Sequence, residues 1–172
     1  GRQLIHELSS QNHQLLLFTR SKKSSTQNNL QILQWEGKDL SAHFTALEGC
    51  QAMVNLCGEG VANKRWTTSR KQAIRQSRIN STRAVTSAIE YLQTRPEVLI
   101  NASAVGYYGD VPEGEVTESH PAGQGFLGET CATWEKEAEK IKNTGVLVAL
   151  LRIGVVLERG GGALERILPP FP

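Results

Sequence analysis

The chain opens with the stretch Gly1-Arg2-Gln3-Leu4-Ile5-His6-Glu7-Leu8, whose apolar residues share one face of a helix. The run Leu15-Leu16-Leu17-Phe18 follows and has the length and composition of a buried parallel strand. A basic turn, Thr19-Arg20-Ser21-Lys22-Lys23, comes directly after it. A helix, a strand and then positive charge at the strand's carboxyl end predict the second half of a Rossmann βαβ unit.

The charge at the end of this strand bears on the cofactor. In a Rossmann unit an acidic residue at this place binds the ribose 2′-hydroxyl of NAD, whereas an arginine accommodates the 2′-phosphate of NADP. The turn holds Arg20 and no acidic residue, and Lys22 or Lys23 offers a second positive charge. The strand and glycine loop that precede such a helix are not found before Gly1. We therefore interpret the chain as an internal piece of an NADP-dependent protein.

Strand-like and helical patterns alternate along the remaining chain. The strand-like runs are 30–35, 52–56, 98–103 and 146–151, and the helical patterns are 39–48, 67–93, 126–142 and 163–168. In the longest helix the expected core positions are Ile74, Val85, Ile89 and Leu92. This alternation predicts an α/β fold with a Rossmann-like, doubly wound parallel sheet covered by helices. We expect residues 1–172 to form a partial NAD(P)-binding domain that lacks its first strand and a C-terminal substrate region.

Composition and charge argue against several other classes of protein. A hydrophobic content of 39% and a charged content of 21% are ordinary for a globular domain. The net charge of +2 is small and the basic residues are scattered, so we expect no nucleic-acid partner. No apolar run is long enough to span a membrane, so we expect no membrane partner. The oligomeric state stays open.

The cysteines and histidines give no sign of a metal or a disulfide framework. Cys50, Cys57 and Cys131 are odd in number and far apart, and none forms a Cys-x-x-Cys pair. The four histidines share no spacing typical of metal ligands. This pattern indicates a reducing, cytoplasmic compartment and no bound metal.

Polar and small residues follow three of the predicted strands, and in an open α/β sheet ligands bind at the carboxyl ends of the strands. The three segments are Thr19-Arg20, Asn55-Leu56-Cys57-Gly58-Glu59 and Ala102-Ser103-Ala104-Val105-Gly106-Tyr107-Tyr108. In the second, Cys57 and Gly58 let a ligand approach the backbone, whereas Asn55 alone is better explained as a structural turn residue. In the third, Ser103 and the tyrosines suit a carbonyl or hydroxyl substrate, or equally well cap a turn and pack the loop.

Motifs spread over the whole chain occur in the order seen in a known family. Each is modest alone, but their joint order is specific: Phe18-Thr19-Arg20, Val54-Asn55-Leu56-Cys57-Gly58-Glu59, Lys64-Arg65-Trp66-Thr67, Ser77-Arg78, Ala102-Ser103-Ala104-Val105-Gly106-Tyr107-Tyr108-Gly109, Trp134-Glu135 and Leu151-Arg152-Ile153-Gly154-Val155-Val156-Leu157. In this order the chain resembles the atypical epimerase-family short-chain dehydrogenase/reductases, which are NAD(P)-dependent epimerase/dehydratase-like proteins.

The resemblance implies a role for each of these segments. Gly1 would be the last glycine of the phosphate loop, and Thr19 and Arg20 would lie at the 2′-phosphate. The loop along the cofactor's ribose and phosphates would comprise Asn55, Leu56, Cys57, Gly58 and Glu59. The residues around the nicotinamide would be Ala102, Ser103, Gly154 and Val155, and Arg152 would also bind the cofactor. Lys64-Arg65-Trp66 and Arg78 would lie around or behind the cleft, although helix-start charges and a buried structural arginine explain them equally well.

One departure from the wider superfamily concerns the proton donor. Most short-chain reductases use a Tyr-x-x-x-Lys pair on the helix after the serine-bearing strand, and the lysine's charge assists the tyrosine. No tyrosine of this chain has a lysine four residues later, and the corresponding helix begins with Phe126. Tyr107 and Tyr108 are the nearest substitutes because both follow Ser103 closely.

Two functions remain open at this point. The segment from Ser103 to Tyr108 favours an NADP-dependent oxidoreductase or epimerase-like enzyme acting on an unidentified small substrate. The missing Tyr-x-x-x-Lys pair favours a non-catalytic NADP(H)-binding sensor or interaction protein.

Overall fold

The first part of the chain forms a helix and a small mixed sheet. The computed structural model describes residues 1–21, 25–61, 64–158 and 161–162, so Lys22, Lys23 and the helix expected at 163–168 lie outside the described residues. Helix α1 spans Arg2–Ser10, and the strands are β1 (Leu15–Thr19), β2 (Ser25–Gln27) and β3 (Leu30–Gln34). β1 pairs with β3 in parallel and β2 pairs with β3 antiparallel.

A second sheet follows and is entirely parallel. Its strands are β4 (Ala52–Asn55), β5 (Val98–Ala104) and β6 (Leu147–Ile153), in the order β4-β5-β6. The connecting helices are α3 (Thr68–Tyr91) and α4 (Gly125–Ala138), and a short α2 (Phe44–Leu47) precedes β4. β7 (Leu157–Glu158) and β8 (Gly161–Gly162) form a separate antiparallel pair.

The two sheets together give a Rossmann strand order. A Rossmann sheet runs 3-2-1-4-5-6, and the order β3-β1 followed by β4-β5-β6 corresponds to it with the first strand left out. Among the described residues, β1 and β4 each have one edge that pairs with no strand. A single hydrophobic core nevertheless joins the two halves, because Trp35 and Leu40 pack in the same cluster as Ile89 and Leu99. The predicted α/β fold class is confirmed.

Helix α3 carries much of this core. Thr67 is its N-cap and accepts a hydrogen bond from the backbone N–H of Arg70 at 3.2 Å, which is a typical role for a threonine. All four predicted core positions are buried, with the exposed fraction of Ile74, Val85, Ile89 and Leu92 at 7% or less.

Two of the predicted helices are only partly α-helical in the structure. At 39–48 the chain makes a 3-10 turn, Ser41–His43, before α2, and the Asp39 carboxylate accepts from the Ser41 backbone N–H and hydroxyl at 2.8 Å each. These bonds lower the pKa of Asp39. The helix predicted at 126–142 ends at Ala138 and tightens into a 3-10 segment, Glu139–Thr144, as helix ends often do.

The second sheet is covered on one face by α3 and α4. Side chains alternate between faces along a strand, so Leu99, Asn101 and Ser103 point to these helices and are buried. On the opposite face, Leu151 and Ile153 are 43% and 38% exposed in the part of the chain that the structure describes. The polar side chains at the ends of β4, β5 and β6 are therefore held against α3 and α4.

Candidate functional site

The carboxyl ends of β1 and β4 are brought together. Arg20 follows β1 and is exposed, and its positive charge acts on the thiol of Cys57, which follows β4. Burial raises the pKa of Cys57, and the charge of Arg20 partly opposes this effect. Arg20 forms no ion pair with a carboxylate of residues 1–21, 25–61, 64–158 or 161–162. An uncommitted guanidinium beside a strand end fits a phosphate-bearing cofactor.

Asn55 belongs to a buried polar network. Its Nδ2 donates to Thr82 Oγ1 at 3.0 Å and to Asn101 Oδ1 at 2.7 Å, and its Oδ1 accepts from the backbone N–H of Cys57 at 3.1 Å. Trp134 Nε1 donates to the same Thr82 oxygen at 2.8 Å. Asn55 therefore has the structural role that its sequence context favours, and its contact with a cofactor stays a prediction.

The backbone after Asn55 is held by arginines of α3. A Cβ added to Gly58 would lie 3.1 Å from the Cζ of Arg78, so this glycine makes room for a side chain of the protein itself. Arg78 Nη1 donates to the carbonyls of Glu59 and Ile74 at 3.1 and 3.0 Å, and burial lowers its pKa. Glu59 also pairs with Arg70 at 3.2 Å. The structural explanation of Arg78 is thus the one that the contacts support.

The end of β5 carries a charged cluster, which we call the Ser103 cluster: Ser103, Glu135, Arg152 and Tyr108. The Ser103 hydroxyl donates to Glu135 Oε1 at 2.5 Å. Arg152 donates to both oxygens of Glu135, from Nε and from Nη2, at 2.9 Å each. The side chains of Glu135 and Arg152 are only 7% and 18% exposed, so this is a largely buried, bidentate ion pair.

Arg152 joins this ion pair to the predicted tyrosines. Its Nη1 donates to the Tyr108 hydroxyl at 3.0 Å and to the carbonyl of Glu118 at 2.9 Å. Its guanidinium lies 3.5 Å from the centroid of the Tyr107 ring, which is a close cation–π contact. The hydrogen bonds to Glu135 raise the pKa of Arg152 above its ordinary value, so the side chain stays charged.

The segment that carries the tyrosines packs tightly on α4. The backbone N–H of Gly123 donates to the Tyr107 carbonyl at 2.8 Å. A Cβ added to Gly128, in the first half of α4, would overlap the carbonyl oxygen of Gly123. These close backbone contacts hold the segment of Tyr107 and Tyr108 against α4.

The structure thus assembles the three predicted catalytic residues, Ser103, Tyr107 and Tyr108, around a pair that the sequence did not indicate. In the sequence, Glu135 stands out only as part of the Trp134-Glu135 motif, and the resemblance implies that Arg152 binds the cofactor. One feature of the sequence does indicate that Arg152 has a buried partner. Arg152 interrupts an otherwise apolar strand, and a charged residue in such a place requires a buried partner. That requirement alone does not identify Glu135 as the partner.

Other predicted residues lie in or next to the last residues of their strands, in different settings. Ala102 is buried in β5, Leu56 is exposed after β4, and Gly154 and Val155 are exposed directly after β6. Thr19 ends β1, where its hydroxyl accepts from the Ser21 backbone N–H at 3.3 Å. An open depression of about 470 Å³ at the start of α3 is lined by Lys64, Arg65, Thr67, Ser69, Arg70 and Ala73.

The described segments contain neither a cluster of metal ligands nor a membrane-spanning helix. No group of three or more histidine, cysteine, aspartate or glutamate side chains there could hold a metal ion. No helix there has both the length and the apolar character to cross a membrane.

The strand order and the polar groups at the strand ends define a Rossmann-type α/β protein. Residues 1–126 match the NAD dependent epimerase/dehydratase family, and the chain belongs to that family. It is 37% identical over 171 residues to an epimerase family protein of Mycobacterium bovis, covering 99% of this chain and 55% of that protein. The chain therefore spans about half the length of this relative.

Solved structures show the same fold. The human epimerase family protein SDR39U1, determined with NADPH, is 27% identical and superposes with a TM-score of 0.81, covering 98% of this chain and 54% of that one. The UDP-glucuronic acid 4-epimerase of Bacillus cereus, determined with NAD, is 19% identical with a TM-score of 0.63 over 79% of this chain and 42% of that one. The second likeness concerns the fold alone.

Proposed function

We propose that this chain is part of an NADP-dependent oxidoreductase or epimerase-like enzyme that acts on a small molecule. The observation that carries the proposal is the position of the Tyr108 hydroxyl, which accepts a hydrogen bond from Arg152, the residue opposite Ser103 at the carboxyl end of β5. A hydroxyl, a serine and a fixed positive charge at this edge of the sheet suit proton exchange with a carbonyl or alcohol. Family membership supports a reaction that uses a nicotinamide cofactor.

The choice of NADP over NAD rests on Arg20. This exposed guanidinium has the donor geometry that binds a phosphate, and its ion-pairing capacity is uncommitted in the described chain. The NADPH in the structure of human SDR39U1 supports the same choice, whereas the more distant Bacillus cereus epimerase was determined with NAD. The residues proposed to line the phosphates and ribose remain those of the segment from Asn55 to Glu59.

Bound NADPH supplies a hydride in such a reaction, and the residues of this chain would position the substrate and deliver the proton. The Ser103 hydroxyl is buried and donates its only proton to Glu135, so it holds that carboxylate and has no proton to give to a ligand. The Tyr108 oxygen accepts from Arg152, which leaves its own proton available to a substrate oxygen. When that O–H bond breaks, the electron pair stays on the tyrosine oxygen and the new O–H bond forms on the substrate.

The proposal is tested on the full-length protein. NADPH binding is followed by fluorescence, and turnover is followed by nicotinamide absorbance against a panel of aldehydes, ketones and sugar nucleotides. We expect turnover with at least one class, and Tyr108→Phe should lower it by roughly ten- to ten-thousand-fold at unchanged NADPH affinity. Tight NADPH binding without turnover would favour a sensor or interaction protein instead. The three free cysteines fit the reducing, cytoplasmic compartment that we propose.

A further inference from the structure

We propose that Arg152 is the cationic partner of the Tyr108 hydroxyl, in place of a lysine on the following helix, and that Glu135 is the residue that positions it. The inference rests on the proposed function, because it concerns the proton donor of that reaction. Its basis is the geometry of the Ser103 cluster, in which each of the four side chains is bonded to at least one other.

The guanidinium of Arg152 has almost no freedom to reorient. Nε and one Nη2 hydrogen go to Glu135, and the two Nη1 hydrogens go to the Tyr108 hydroxyl and the Glu118 carbonyl. The five N–H groups of an arginine lie in a rigid plane, so these four bonds fix that plane. The ring of Tyr107 then covers one side of it. The guanidinium of Arg152 is therefore held so that one of its N–H groups stays directed at the oxygen of Tyr108.

The register between β5 and β6 explains why the positive charge beside Tyr108 comes from a strand. Ser103 and Arg152 lie opposite each other in the parallel pairing of β5 with β6, so both side chains point to α4. Glu135 projects from α4 between them and accepts from both. The start of α4, where the usual tyrosine would lie, instead carries Phe126, whose ring contacts Trp66 with centroids 5.3 Å apart. The cation thus reaches the hydroxyl from the neighbouring strand.

The expected effect concerns the negative charge that forms on Tyr108 when its proton leaves. A unit positive charge about 3 Å away stabilises that charge about tenfold even at the dielectric constant of water. Burial of the ion pair reduces screening by water, whereas the negative charge of Glu135 on the far side of the guanidinium offsets part of the attraction. Removing the cation should therefore slow any reaction that passes through the tyrosine anion.

The experiment uses the full-length protein with Arg152→Met, Arg152→Lys and Glu135→Gln. The matched control is Arg83→Met, which removes an arginine that pairs with Glu137 of the same helix outside the Ser103 cluster. Three readouts are taken: NADPH affinity by fluorescence, kcat and KM with NADPH and 9,10-phenanthrenequinone as the probe, and nitration of Tyr108 by tetranitromethane. Nitration requires the tyrosine anion, and the 65% exposed Tyr91 serves as the internal reference in site-resolved mass spectrometry.

We expect Arg152→Met to lower both kcat and the nitration of Tyr108 relative to Tyr91 by about tenfold or more, with KM and NADPH affinity nearly unchanged. Arg152→Lys should restore part of each loss, Glu135→Gln should lower kcat by a smaller factor because the guanidinium loses its anchor, and Arg83→Met should change neither readout. Equal or faster nitration of Tyr108 in folded Arg152→Met would overturn the inference, and an unchanged kcat in folded Glu135→Gln would overturn the positioning role of Glu135. A large loss of NADPH affinity in the Arg152 variants would also overturn it, because Arg152 would then serve the cofactor.

The nitration readout is independent of turnover. If the wild-type protein binds NADPH but turns over no compound, the proposed function fails while nitration still decides the partnership of Arg152 and Tyr108. If the wild-type protein turns over and the Arg152 variants keep full kcat, the partnership fails and the proposed function stands.

Discussion

Asn55 and Asn101 lie opposite each other on β4 and β5, and their side chains are joined by a hydrogen bond of 2.7 Å. Both are buried, with exposed fractions of 3% and 0%. Thr82 of α3 completes the contact, because its hydroxyl accepts from Asn55 and Trp134 and donates to Asn101. The network therefore ties both covering helices to the sheet through one hydroxyl group.

The first prediction concerns Thr82. Thr82→Val keeps the shape of the side chain but leaves Trp134 Nε1 and one of the two Asn55 Nδ2 hydrogens buried without a partner, which should cost about 2–4 kcal/mol of the free energy of unfolding. Thr86→Val is the matched control, because Thr86 is also buried on α3 but donates only to the Arg83 carbonyl. We expect it to cost less than about 1 kcal/mol. Urea unfolding measures both, and equal losses would contradict the network's role.

The second prediction concerns the choice of cofactor. Arg20→Ala should weaken NADPH binding by roughly ten- to a hundred-fold, since a hydrogen bond to a charged group contributes about 1.5–3 kcal/mol. NADH affinity should hardly change, because NADH lacks the 2′-phosphate. Lys142→Ala removes an exposed cation paired with Glu139 and serves as the control for net charge. The test is a pair of titrations, and equal loss of both cofactors would show that Arg20 is structural.

The third prediction concerns the stability of the Ser103 cluster. Arg152→Met leaves the largely buried Glu135 carboxylate without its counter-ion, which should cost about 3 kcal/mol of the free energy of unfolding. The double variant Glu135→Gln/Arg152→Met should be more stable than Arg152→Met alone, because no unpaired charge remains. Denaturant unfolding of both single variants and of the double variant gives the coupling free energy between Glu135 and Arg152. Additive losses would mean that the ion pair contributes little.

The fourth prediction concerns the cysteines. Burial raises the pKa of the thiols of Cys57 and Cys131, so less of the reactive thiolate is present near neutral pH. Labelling of the folded protein with a disulfide reagent should therefore be slow and should accelerate at higher pH than for an ordinary thiol. Arg20→Ala should slow Cys57 further, because the charge of Arg20 lowers its pKa, and should leave Cys131 unchanged. Unchanged Cys57 labelling would show that the two side chains do not interact.

These raised thiol pKa values also give a pH dependence of stability. The folded state prefers the protonated thiol, so the contribution is present below the pKa of the unfolded chain. It is lost as the pH rises through the higher pKa of the folded state. Unfolding measured at increasingly alkaline pH should show this loss, and replacement of Cys131 by alanine should reduce it.

Much of the fold could be predicted from local patterns. Periodicity located α3 and its core face, because residues such as Ile74 and Ile89 recur at helical spacing and face the same core. Strand ends could be placed at one edge because parallel strands finish together. This is why Arg20 and Cys57, which are distant in sequence, could be assigned to the same region before their interaction was known.

The chemistry within the site depended on contacts that no local pattern encodes. Glu135 and Arg152 are 17 residues apart on different elements, and Ser103 is 32 residues from Glu135. Their meeting requires both the register of β5 with β6 and the rotation of α4. Similarly, Thr82 lies in mid-helix, where a threonine gives no sign that three other elements will bond to it. The bonding partners of these side chains are set by tertiary packing, which the local sequence does not reveal.

The close approach of Gly123 to Gly128 has a mechanical consequence. With no side chain between them, the backbone before α4 and the helix itself are in direct contact, so neither can slide over the other without separating. Any displacement of Tyr108 must therefore carry the beginning of α4 with it. That part of α4 is bonded through Glu129 and Thr130 to Arg75 of α3. A shift of the backbone at Tyr108 would therefore also strain the contacts between α4 and α3.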